Sequence, residues 1–108
     1  MTTVVHVACF GSGSLRDRVV RDQRLRDYDL LVSRTKVPGR NPGWAKLYGA
    51  DYATTGVINL EWDADTRTLL ARVVTRGKGK PDKIVGRFVA YLLGRHRRRI
   101  RSISILPA

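Results

Sequence analysis

The chain has 108 residues, with 21 lysines and arginines against nine acids, and its formal net charge of +12 favours a polyanionic partner and disfavours a basic one. Hydrophobic residues make up 43%, which fits a single folded domain over residues 1–108 and excludes a disordered basic tail. One cysteine, Cys9, excludes an internal disulfide, and no segment approaches the roughly 18 consecutive apolar residues of a membrane span, so the expected location is cytoplasmic with no membrane partner.

Val4 to Phe10 reads as a short buried strand, and His6 shares the parity of Val4, Ala8 and Phe10, so it is expected to be a buried histidine. Gly11-Ser12-Gly13 breaks the strand. Ser14, with Asp17 three residues on, caps a helix that should run to about Asp27 on a thin apolar face of Leu15, Val19, Val20 and Leu25. Leu30 to Lys36 is a candidate strand. Pro38, Gly39, Pro42, Gly43 and Gly49 interrupt the next stretch, which reads as a structured loop holding a short helix from Trp44 to Tyr48. Val57–Trp62 and Thr68–Arg76 alternate on either side of the turn Asp63-Ala64-Asp65-Thr66 and predict a β-hairpin. Pro81 at a first helical position, followed by Asp82, opens a helix with the stripe Ile84, Val85, Phe88, Val89, Leu92 and Leu93, ending near Gly94. Ile100 to Leu106 is a terminal strand. With residues 28–55 set aside, the order is βαββαβ. The expectation is an α+β domain: an antiparallel four- to five-stranded sheet with two helices on one face, in ferredoxin-like order, with an insertion at about 28–55.

The densest charge is Gly94 to Arg101, where Arg95, Arg97, Arg98, Arg99 and Arg101 fall within eight residues. A helix C-terminus gains from one or two cations, and the excess calls for a counter-charge. Arginine outnumbers lysine 16 to 5, and its planar fork suits phosphate. Five arginines on duplex phosphates would give a salt slope near −4.5. A second basic group is Arg72 and Arg76 on the hairpin with Lys78 and Lys80 after it. A third candidate is aromatic: Trp44, Tyr48 and Tyr52 lie four apart among Arg40 and Lys46, and with Trp62 they could stack bases or line a pocket under the insertion. An RNA-recognition sheet would need central-strand aromatics, and these strands offer only Phe10.

No spacing supports a metal site, and no cofactor or catalytic residue is assigned. Gly11-Ser12-Gly13-Ser14 fails the dinucleotide fingerprint, since Arg16 stands where the third glycine belongs, and the Walker lysine is missing. The reading is a non-enzymatic nucleic-acid-binding protein, acting on RNA or DNA. The alternatives are a small basic, toxin-like ribonuclease, and a homodimeric interaction or small-molecule-binding protein.

Overall fold

The computed structural model describes residues 2–51, 54–76 and 80–107. Along them run β1 (Thr2–Cys9), α1 (Leu15–Arg21), β2 (Leu30–Arg34), β3 (Trp44–Gly49), β4 (Val57–Asp63), β5 (Thr68–Val74), α2 (Asp82–Arg95) and β6 (Ile100–Pro107). Short 3₁₀ turns at Gln23–Tyr28 and Arg97–Arg99 follow the two helices. The strands form one open antiparallel sheet in the order β2-β3-β4-β5-β1-β6. The α+β class holds, and the sheet has six strands where four to five were expected.

The additional strand is β3, where a short helix was expected. Its residues alternate with period two. Ala45 and Leu47 pair with Leu60 and Ile58 and are fully buried, while Trp44, Lys46 and Tyr48 take the other face. Gly43, just before the strand, and Gly49, its last residue, permit close backbone approach. A Cβ on Gly43 would lie 2.7 Å from the Trp62 carbonyl oxygen, and one on Gly49 would lie 1.3 Å from that of Thr54.

Helix α1 is also shorter than expected, ending at Arg21 and not near Asp27. Asp22 leaves the helix in an extended conformation, and its carboxylate accepts from the Arg24 backbone N–H at 3.0 Å to open the following 3₁₀ turn. Buried Arg16 ties α1 to the sheet. Its Nε and Nη2 donate to the Trp44 carbonyl at 3.2 and 2.8 Å, and Nη2 also reaches the Thr35 carbonyl.

The core collects one face of the sheet. Val5 and Val7 of β1 stand opposite Ala71 and Leu69 of β5, and pack in one cluster with Leu15 and Val19 of α1 and Ile84, Phe88, Tyr91 and Leu92 of α2. His6 points the other way. It is exposed, correcting the expectation of burial, because its parity with Val4 and Ala8 belongs to the face turned from the core.

Candidate nucleic-acid interface

Strand register decides where the arginine run lies. Cys9 pairs with Ile100, and the Phe10 backbone N–H donates to the Arg99 carbonyl at 2.7 Å, so the run crosses the end of the sheet beside the β1–α1 turn. Its five arginines have different surroundings. Arg95 donates through Nε and Nη2 to the Asp22 carboxylate at 3.2 and 3.3 Å. Arg99 donates through Nε to the Phe10 carbonyl at 2.8 Å and through Nη2 to the Gly13 carbonyl, clamping the turn. The Arg101 guanidinium lies 5.6 Å from the centre of the exposed Phe10 ring. Arg97 and Arg98 are exposed and carry no ion pair or side-chain hydrogen bond among the described residues.

Helix α1 contributes two arginines that reading the sequence missed. Arg18 and Arg21 stand on its exposed side and are likewise unpaired among the described residues. Arg18 faces Arg97 and Arg98 across an open cleft of about 580 Å³. Arg21 lines an adjoining cleft of about 410 Å³ with Asp17 and Asp22, and Arg18, Arg95 and His96 belong to both. The signal was present as an i, i+3 pair of arginines on the polar side of a helix with a thin apolar face, but nothing local says which distant segment that side meets.

Beneath this surface lies a hydrogen-bonded relay. The fully buried Tyr91 donates its hydroxyl to Asp22 Oδ2 at 2.9 Å, and His96 Nε2 lies 2.7 Å from the same phenolic oxygen. Burial pushes the Asp22 carboxyl up, but hydrogen bonds from Arg95, the Arg24 backbone and Tyr91 outweigh it and hold the pKa below its ordinary value. Burial, then the hydrogen bond to Asp22, raises the Tyr91 pKa and keeps it protonated. Burial lowers the His96 pKa; Asp22 opposes this, while Arg95, Arg18 and Arg99 reinforce it, so the ring favours neutrality. With Tyr91 donating to an ionised Asp22, the network assigns the His96 proton to Nε2. The relay joins Asp22, at the end of α1, to His96, at the end of α2, and so ties together the two elements beside which the cleft arginines stand.

The other sequence candidates lie elsewhere. Arg72 is exposed on the sheet face away from the core, with Nη1 3.6 Å from Glu61. Arg76 and Lys80 are exposed past the far end of β5. Thr68, at the arginine end, and Arg76 are eight residues apart, or about 26 Å of extended chain. Lys78 and Tyr52 lie outside the described residues. Trp44 is buried beneath Arg40, whose guanidinium carbon is 5.5 Å from the ring centre, and its Nε1–H has no hydrogen-bond partner among the described residues. Tyr48 is exposed on the same strand face, whereas Trp62 packs against the core, so these aromatics do not share one pocket. A further cleft of about 500 Å³ is lined by His6, Glu61, Asp63 and Asp65, and its carboxylates repel a polyanion. Among the described residues no group of three His, Cys, Asp or Glu side chains could hold a metal ion, and no helix is long and apolar enough to cross a membrane.

Comparison with known proteins leaves the site to be read from its own chemistry: the chain matches no protein-family model, no curated protein and no solved structure.

Proposed function

We propose that this protein is a small non-enzymatic nucleic-acid-binding protein whose arginine clefts grip backbone phosphates. The observation that carries the reading is that Arg18, Arg21, Arg97 and Arg98 line two adjoining clefts from separate elements and have no ion pair or side-chain hydrogen bond among the described residues. Unpaired guanidinium groups held close together repel one another, and a phosphate backbone relieves that repulsion through charge-assisted, often bidentate hydrogen bonds. Phe10, 54% exposed beside Arg101, offers a ring for a base to stack on. We read β4-β5-β1-β6 as a ferredoxin-like core, both helices as covering one of its faces, and β2–β3 as an insertion that widens the sheet away from the arginines. A buried lone Cys9 fits a reducing compartment, and we place the protein in the cytoplasm.

The test is fluorescence anisotropy with labelled single-stranded RNA, single-stranded DNA and duplex DNA at low and high salt. Salt-sensitive binding supports the reading, and the preferred probe names the nucleic acid. Absence of binding to all three at low salt overturns it. His96, lining both clefts, favours one second reading, a basic ribonuclease. Labelled RNA recovered at full length after prolonged incubation sinks that alternative.

A further inference from the structure

The sheet has two edges: β2 is guarded along its length, and β6 only at its ends, by a register shift and Arg101 at one and Pro107 at the other. Strand β2 spans five residues, its register shifts between Val32 and Arg34, and it ends in an exposed arginine. Shortness, a bulge and a charge are the usual devices that stop an edge from pairing with another chain. Strand β6 lacks them over most of its length. It spans eight residues, pairs with β1 alone among the described residues, and holds regular register from Ser102 opposite Ala8 to Leu106 opposite Val4. No charge occurs between Ser102 and Leu106. Ile105 is 45% exposed and Leu106 59% exposed, and they lie on opposite faces of the strand. Ile103, on the same face as Ile105, is half-buried and packs against the core, whereas Ile105, paired with fully buried Val5, stays exposed, so the cover over the core face gives out along the second half of β6.

We infer that the β6 edge pairs with β6 of a second copy of this chain, joining two sheets into one. Charge restricts where a second copy can dock. Copies at +12 repel wherever their arginines meet, and Ser102–Leu106 is an uncharged stretch along which two copies can approach. The strand is also its own complement. In an antiparallel pair centred on Ser104, Ile103 of one copy faces Ile105 of the other, Ser102 faces Leu106, and Arg101 faces Pro107. The two Arg101 residues then stand six positions apart, about 20 Å along the strands, which limits their repulsion. The two-fold axis of such a pair is perpendicular to the sheet, so the contact is isologous and both core-covering layers fall on one side. The inference stands independently of nucleic-acid binding.

Sedimentation velocity of the purified chain, free of nucleic acid, over a wide dilution series tests it. The expected species at high concentration has twice the 12.2 kDa chain mass. Dimerisation should tighten as salt rises, because salt screens the repulsion between copies, whereas association bridged by nucleic acid should weaken. Ile105→Lys combined with Leu106→Lys alters two exposed side chains, so it should fold with an unchanged circular dichroism spectrum and sediment as a monomer. Hydrogen exchange gives a second readout: amides within Ser102–Leu106 should gain protection with concentration, while those of Leu30–Arg34 should not. A wild-type chain that stays at 12.2 kDa throughout overturns the inference. So does a dimer that survives the double substitution, or concentration-dependent protection confined to other strands.

Discussion

Replacing Arg97 and Arg98 with alanine separates the proposed phosphate binding from folding. Neither side chain has an ion pair or side-chain hydrogen bond among the described residues, so the thermal midpoint should stay where it is. The structure also revises the number of available contacts. Arg95 is held by Asp22 and Arg99 by the carbonyls of Phe10 and Gly13, while Arg18 and Arg21 join from α1. Four free arginines on duplex phosphates give a slope of log affinity against log salt near −3.6, or about 150-fold weakening between 50 and 200 mM salt. With Arg97 and Arg98 removed, the slope should fall to about −1.8 and the weakening to about 12-fold. On a single strand the corresponding slopes are about −2.8 and −1.4. Anisotropy titrations at four or more salt concentrations measure both. A double variant that binds with the full wild-type slope would refute the assignment of these arginines to phosphate. A near-zero slope in the wild type would refute the electrostatic reading altogether.

Arg99→Ala should behave in the opposite manner, costing stability more than salt dependence. Two charge-assisted hydrogen bonds to carbonyls are lost, and discounting them for solvent leaves about 1 kcal/mol, a fall of roughly 4–8 °C in Tm by calorimetry. Arg99→Lys should recover little of it, since one ammonium cannot reproduce the fork that spans Phe10 and Gly13. Two glycines of α2 should respond with opposite signs. A Cβ on Gly86 meets nothing within 4 Å, so Gly86→Ala should gain up to about 1 kcal/mol in urea unfolding. A Cβ on Gly94 would lie 2.2 Å from the Tyr28 hydroxyl oxygen, so Gly94→Ala should lose stability despite the same gain in helix propensity. The lowered His96 pKa makes the unfolded chain the better proton acceptor just below the ordinary histidine value. Its contribution is fully present above about pH 6.5 and is lost as pH falls through the window down to its folded pKa. Tm should therefore decline between about pH 7 and pH 5, and His96→Gln should flatten that decline. An equal decline in the variant would assign it to another group.

Sequence periodicity determined most of the elements. The hairpin of β4 and β5 and the apolar stripe of α2 were legible because burial on one face imposes a period of two or of 3.6 on the chain itself. The net basic character of the chain was legible because charge is additive and needs no coordinates. Two elements were misread locally. Glycines at positions 43 and 49 look like helix breakers or loop residues, but they permit close approach to Trp62 and Thr54, and that approach exists only once β3 lies in the sheet. The end of α1 depends on Asp22, whose carboxylate begins the next turn and also meets Tyr91 and Arg95, some 70 residues away. Tertiary structure alone decided which arginines are free. The run from Arg95 to Arg101 looks uniform in sequence, yet Asp22, Phe10 and Gly13 engage Arg95, Arg99 and Arg101, while Arg18 and Arg21 arrive from α1 to complete the clefts. Charge is a property of composition, whereas the pairing of each charge depends on distance, and the fold sets those distances.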